Sequence, residues 1–471
     1  MKLLNAIRMG GAEILPLVEG GKGVAATNGI SSGAWALAGG AGTISAVNAD
    51  SYDQDGNIIR QIYHGRTRRD RHEELIAYGI EGGVAQARRA WEISGGAGRV
   101  HVNILWEMGG AEQIIHGILE RTKGLVNGVT CGAGMPYKLA EIAQRFNVHY
   151  YPIVSSARAF GALWKRAYSK AAELLGGVVY EDPWLAGGHN GLSNSENPDK
   201  PETPFPRLVA LRKLMREFGL HETPIIMAGG VWALEEWEDY IDNPDIGPIA
   251  FQFGTRPLLT KESPIPQSWK DRLLKLKPGD VFLNRFSPTG FYSSAVNNPF
   301  LQQLRDRSAR QVAFSPEAVG EHVAEYGVGV RKRAVYLTPV DLEHVKAWEA
   351  QGFTEALRTP DSTLVFTTPA EAEVIHEDQV NCMGCLSQCR FSNWSQTGPD
   401  FDNGKKADPR SFCIQKSLQN IAHAAAGDDT AMDENLMFAG HNAYRFGTDP
   451  FYSNGFIPTV KELVDRLLTG K

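Results

Sequence analysis

No run in the chain approaches the roughly 18 consecutive apolar residues of a membrane-spanning helix. Near the start, Lys2 and Arg8 are followed only by the short apolar stretch Ile14–Val18, too brief for the core of a secretory signal, so a cytoplasmic protein is expected. Excess charge of one sign is also missing: 48 Lys and Arg against 54 Asp and Glu leave a formal net charge of −6, with no overall pull toward nucleic acid or acidic membranes. No GxGxxG fingerprint opens a first βαβ unit, so the usual dinucleotide-binding signature is missing. Cysteine is sparse. There are five, four of them within residues 382–413, and such clustering in a reducing compartment points to a metal more than to disulfides.

What is present is a strong alternation. The 471 residues suit a barrel of roughly 250 residues plus additions. Apolar runs alternate with helical-period segments up to about residue 255. The strand candidates are Glu13–Val18, Gly42–Ala46, Val100–Trp106, Leu125–Thr130, His149–Val154, Gly177–Glu181, Pro224–Ala228 and Gly247–Phe253. Between them, Ile76, Ile80, Val84, Ala87 and Trp91 share one helical face, as do Leu139, Ile142, Ala143 and Phe146. Buried-type strands separated by helices specify parallel pairing with right-handed crossovers. The expected fold class is α/β, a (β/α)8 TIM barrel, with an open doubly wound sheet as the alternative.

After residue 255 the rhythm changes. Residues 256–310 read as loop and short helices. An apolar run followed by Ser or Thr, Pro and a helical segment then appears in Val312–Pro316, Val335–Pro339 and Leu364–Pro369; Ser/Thr caps a helix and Pro fits its first turn. The domain reading is a barrel over 1–310, an α/β insertion with a four-cysteine site over 311–430, and a segment over 431–471 that packs back on the barrel through Val460, Leu463, Val464, Leu467 and Leu468.

Barrel enzymes often grip phosphate after strands seven and eight. Strand seven ends Met227-Ala-Gly229-Gly230-Val231 and strand eight ends Phe251-Gln252-Phe-Gly254-Thr255-Arg256. A single Gly-Gly is ordinarily a tight turn; two such ends on neighbouring strands favour a phosphate site, where backbone N–H groups approach closely. The basic run Arg66–Arg71 is a second, weaker phosphate candidate, better read as a solvated loop leading into a helix. His189, in a glycine-rich loop after strand six, suits proton abstraction if its pKa is near neutral.

The strings AGGHNG at 186–191, AGG at 228–230 and QFGTR at 252–256 resemble the nitronate monooxygenase family, formerly 2-nitropropane dioxygenases, which are FMN-dependent barrels. The likeness includes LPLVEGGKG near residue 15, GGAGT of strand two, Asn103, GAGMP at 132–136, NRFSPTG near 284 and FAGH near 438, about two thirds of the chain. It implies that Gly229, Gly230, Gly254 and Thr255 hold the FMN phosphate. It implies that Gly21, Lys22, Asn103, Gly132, Gly188 and Gln252 surround the rest of the flavin, and that His189 is the catalytic base. The chain departs from the family pattern at Glu19 and Lys22, and at His441, where glutamine is usual. Cys131 ends strand four; a packed side chain is the better reading than a reactive thiol.

Cys382-x2-Cys385-x3-Cys389, with Cys413 after 23 further residues, can close a metal shell. Iron–sulfur sites often use three clustered cysteines and one remote; zinc more often uses paired CxxC hooks. The string CMGCLSQC is also similar to the cluster-binding segment of 2,4-dienoyl-CoA reductase, an FMN barrel with a [4Fe–4S] cluster. The expected cofactors are FMN and [4Fe–4S], zinc being the alternative. The expected activity is oxidation of a small carbon acid. A reductase drawing electrons from NAD(P)H or an electron-carrier protein, acting on an enoyl thioester, is the second reading. RNA modification ranks last, since no RNA-binding module is recognisable.

Overall fold

The computed structural model describes residues 2–418 and 434–470. A hairpin of β1 (Ile7–Met9) and β2 (Ala12–Ile14) leads into the barrel. The barrel strands begin with β3 (Leu17–Glu19), β4 (Ala41–Ser45), β5 (Arg99–Leu105), β6 (Gly128–Gly132), β7 (His149–Val154) and β8 (Val178–Glu181). After the outlying two-residue strand β9 (Gly188–His189) come β10 (Ile225–Ala228) and β11 (Ile249–Phe253). Every barrel pairing is parallel, and β11 pairs back with β3, closing the sheet. Closure excludes the open doubly wound alternative. Each expected barrel strand is present, because strands buried on both faces read as near-continuous apolar runs.

The run expected as one strand over 13–18 is divided. Ile14 belongs to the hairpin, and only from Leu17 does the chain join the barrel. Met9 and Ile14 pack with the inward-facing Val18, Ala41, Tyr151, Val179, Ile226 and Ala250. Arg99, at the start of β5, donates to the Gly10 carbonyl at 3.2 Å. The hairpin therefore plugs the N-terminal mouth of the barrel.

Helices α1 (Gly29–Leu37), α2 (Arg68–Ser94), α3 (Ala111–Arg121), α4 (Leu139–Phe146), α5 (Ala157–Arg166) and α6 (Pro204–Glu217) form the outer ring. A 3-10 turn at Leu234–Trp237 replaces a full helix between β10 and β11. The buried face of α2 is broader than the expected one and excludes Trp91, which is exposed. Val84 and Ala87 are buried and Ile76 and Ile80 pack against the core as expected, and burial extends over Leu75, Gly79, Gly82, Gly83 and Ala90. Glycines allow the close approach: a Cβ at Gly82 or Gly83 would collide with Ala49 or Ile118. The face is set by small size as well as by hydrophobicity.

Residues 256–310 hold more regular structure than expected. Besides α7 (Gln267–Leu273) and α8 (Pro299–Ala309), β12 (Val281–Asn284) and β13 (Ser293–Val296) form an antiparallel pair that β9 extends. Beyond them, β14 (Gln311–Ala313), β18 (Thr363–Thr367) and β17 (Glu355–Arg358) make a sheet, and β15 (Ala324–Val328) pairs with β16 (Arg333–Leu337). Val312, Val335, Leu337, Val345, Leu364 and Phe366 form a separate small core here. Two of the three Ser/Thr-Pro segments start helices, α9 (Pro339–Ala350) capped by Thr338 and α10 (Pro369–Val380) capped by Thr368. The Ser315-Pro316 instance starts none: the Ser315 hydroxyl instead bonds the Glu317 backbone, and Ser315 bridges to Tyr336. The C-terminal helix Val460–Thr469 buries Val460, Leu463, Val464 and Leu467 and packs on α1.

Candidate functional site

The C-terminal ends of the barrel strands open into a cavity of about 550 Å³, within the usual range for cofactor and substrate sites. Gly21, Lys22, Asn103, Gly132, Gly188, His189, Gln252, Gly254 and Thr255 all line it. Gly229 and Gly230 are not among the lining residues. They form the turn after β10 with φ of 89° and 79°, a conformation that suits glycine. A Cβ on Gly229 or Gly230 would meet Ala186 or Leu185, and the Gly230 carbonyl accepts from Asn442 Nδ2 at 2.6 Å.

The grouping has the form of an anion cradle. Among the described residues, none accepts from the backbone N–H of Gly229, Gly230 or Gly254. A Cβ placed on Gly254 would meet no protein atom but would project into cavity space. Thr255 Oγ1 accepts from the Gly440 N–H at 2.8 Å, which leaves its own hydrogen to donate. These donors at the ends of neighbouring strands fit a phosphate.

His189 stands over this mouth on β9, whose residues pair with Ser293 and Ser294 of β13. Its Nε2 lies 2.6 Å from Ser287 Oγ, and Phe438 packs edge-on at 5.2 Å. The expected near-neutral pKa is not found. Burial without a compensating charge lowers it to about 4, so the imidazole stays neutral throughout the physiological range. Glu19 and Lys22, flagged as departures in sequence, face each other at 3.6 Å. Burial pushes Glu19 up and Lys22 down, each partly offset by the other. Lys22 Nζ also donates to the Gly20 carbonyl at 2.9 Å. His441 does not line the cavity; its Nε2 lies 3.1 Å from Ser294 Oγ. Cys131 is fully buried, and burial alone holds its thiol well above the ordinary range, the state of an inert packed residue.

The cysteine segment roofs the cavity. Cys385, Leu386, Ile414, Gln415 and Leu418 join its lining. Gln415 pairs with Asn48, which lies just beyond β4. The roof is pinned to the barrel: Gly109 donates to the Cys385 carbonyl at 3.0 Å and Ser387 Oγ to Glu107 at 2.7 Å. The basic run leads into α2 as expected, with Arg66 and Arg69 exposed, but Arg68 and Arg71 are not merely solvated. Arg68 donates to Ser392 O at 2.9 Å and Asn393 Oδ1 at 3.0 Å, and Arg71 donates to Val380 O at 2.9 Å and Cys382 O at 3.1 Å. Two of its arginines clamp the cysteine segment, while Thr67 and Asp70 build the capping box of α2.

Among the described residues, no group of three or more His, Cys, Asp or Glu converges as a single metal ion would require. The four thiols are nevertheless neighbours. Cys385 feels Cys413, Cys389 and Cys382, and Cys413 feels Cys382 and Cys389. Burial first, and the Cys382 thiol next, raise Cys389 to about 11.

Sequence reasoning missed Glu181. It ends β8, lines the cavity and is not fully covered by protein. Burial first and the Asp182 carboxylate second raise its pKa to about 8. Only its place, as the last residue of a barrel strand, could have marked it.

A closed (β/α)8 barrel with a cavity at its C-terminal mouth defines the fold class. No family model matches the chain, and no curated protein sequence matches it. Solved structures are similar in fold. FabK from Thermotoga maritima shares 19% identity over 62% of this chain and 74% of its own, with a TM-score of 0.42. Nitroalkane oxidase from Streptomyces ansochromogenes shares 18% over 61% and 78%, with a TM-score of 0.42. The enoyl reductase domain of MlnA from Bacillus amyloliquefaciens shares 12% over 96% and 93%, with a TM-score of 0.48. Likeness at this level says nothing of substrate or cofactor. Among the described residues, no helix is long and apolar enough to cross a membrane.

Proposed function

We propose that the chain is an FMN-dependent oxidoreductase, of the nitronate monooxygenase kind, acting on a small carbon acid. One observation carries the reading: residues from β3, β5, β6, β8, β9 and β11 and the loops that follow them meet at a single cavity, beside backbone donors arranged for one phosphate. Gly229, Gly230, Gly254 and Thr255 would hold that phosphate; Gly21, Lys22, Asn103, Gly132, Gly188 and Gln252 would surround the rest of the cofactor. Bound flavin would supply the two-electron acceptor. His189, held by Ser287, offers a neutral imidazole to orient the substrate or accept its proton. Mass spectrometry of cofactor released from folded protein should find FMN. FAD, or no flavin, would overturn the assignment.

A second reading, a reductase fed by NAD(P)H or an electron-carrier protein, is favoured by the roof. Cys385 lines the same cavity, and the four thiols adjoin one another without converging on one ion. Three clustered cysteines and one remote is the spacing iron–sulfur sites often use, whereas zinc more often uses paired CxxC hooks. Cys382, Cys385, Cys389 and Cys413 would hold a [4Fe–4S] cluster and lend folding free energy to the segment. Protein purified without oxygen should contain about four iron per chain and lose them on changing any one of these cysteines to Ser. Stoichiometric zinc without iron would convert the site to a structural staple.

A further inference from the structure

We propose that Glu181 is the proton carrier of this cavity: its carboxylate takes the proton from the acidic carbon of the substrate, and its carboxylic acid returns it in the reverse direction. The inference deepens the carbon-acid reading above and rests on it.

Geometry is the first support. Glu181 is the last residue of β8, paired in register with Ala228 of β10, at the level where the barrel opens. It lines the same cavity as His189, Gly132 and Gln252. The other buried acid of this rim, Glu19, is tied to Lys22 and to Ser32 Oγ at 3.1 Å. Glu181 has no such tie: among the described residues no basic side chain pairs with it. Lys22, His189 and Cys385 share the cavity, and Asp182 precedes the next turn, its Oδ1 accepting from Trp184 and Leu185.

Chemistry is the second. An acid in a poorly solvated cavity next to another carboxylate keeps its proton past neutrality, which for Glu181 means to about pH 8. His189, pushed to about 4, gives an imidazolium too acidic to hold a proton taken from carbon at neutral pH. Two titratable groups driven apart in one site divide the roles: Glu181 exchanges the proton, and His189 positions the substrate by hydrogen bonding. In the step itself a C–H bond breaks and an O–H bond forms on Glu181. The electron pair stays on the carbon, spread into its electron-withdrawing neighbour, until the two-electron acceptor takes it.

The test uses FMN-loaded protein, wild type, Glu181→Gln and Glu181→Asp, without oxygen. Infrared spectra should show a protonated-carboxyl band at pH 6 that fades through about pH 8 in wild type and is missing in Glu181→Gln. Nitroethane in D2O should exchange its α-hydrogens faster with wild type than with buffer. Glu181→Gln should lower that exchange by about 10² or more, the range for a lost general base, and Glu181→Asp should restore part of it. An unchanged band in Glu181→Gln, equal exchange in both proteins, or no exchange above buffer with wild type would each overturn the proposal. Flavin content is read on the same samples. Wild type without FMN would count against the flavin assignment, whereas FMN retained with unchanged exchange would count against Glu181 alone.

Discussion

Burial acts on His189 and Glu181 in opposite directions, because it penalises whichever form is charged. The consequence for stability has a sign. Unfolded, Glu181 ionises near its ordinary value of 4.5; folded, it keeps its proton to about 8. Between those values the native state holds more protons than the unfolded one, so its contribution is present below pH 4.5 and is lost as pH rises toward 8. Glu181→Gln should flatten the fall in thermal midpoint across that window, as scanning calorimetry would record. For His189→Ala the expected outcome is retained FMN with a smaller loss of turnover than Glu181→Gln, since His189 positions the substrate while Glu181 exchanges the proton; steady-state assay beside flavin quantitation separates a chemical from a structural role. Gly254→Val should do the reverse. Its side chain would enter open cavity space, so flavin should be lost while circular dichroism stays unchanged. That His189, Gly21, Gly132, Gly188 and Gly254 share one cavity was legible in sequence because their motifs are local. Glu181 was not, because a lone acid at a strand end carries no motif.

At the scale of elements, the reach of sequence reasoning followed the period of burial. The parallel strands stood out as apolar runs, whereas β9 (Gly-His) and β13 (Ser-Ser-Ala-Val) are short and polar at their start, and their pairing joins segments about a hundred residues apart. The arginine clamp is longer-ranged still. Arg68 and Arg71 hold a segment more than 300 residues away, and nothing beside the basic run announces its partners. Hydrogen bonds from charged donors contribute about 1.5–3 kcal/mol each. The double variant Arg68→Ala, Arg71→Ala should therefore raise amide hydrogen exchange across residues 380–403 strongly, while β4, β5 and β6 stay protected.

For the molecule as a whole, the barrel core is continuous from the β1–β2 plug to the cavity floor. Met9 is 1% exposed within the lumen cluster, so Met9→Ala should cost about 2–5 kcal/mol, the range for emptying a packed core position. Denaturant titration would measure this, and flavin content should be unchanged, since the plug and the cavity lie at opposite ends. The satellite core around Val335, Leu337 and Phe366 was legible only as a repeated capping signal, which failed at Ser315 where a bridge to Tyr336 captured the backbone.

The plug also bears on traffic. Among the described residues, a barrel stoppered by Met9 and Ile14 at one end opens at the other, and there the cysteine segment and β9 border the cavity. Whatever enters last must leave first. With cofactor seated deepest, an electron donor and an electron acceptor would have to queue at the same threshold, each vacating before the next arrives. Initial rates measured against both should then give parallel double-reciprocal lines, the signature of visitors who never meet inside.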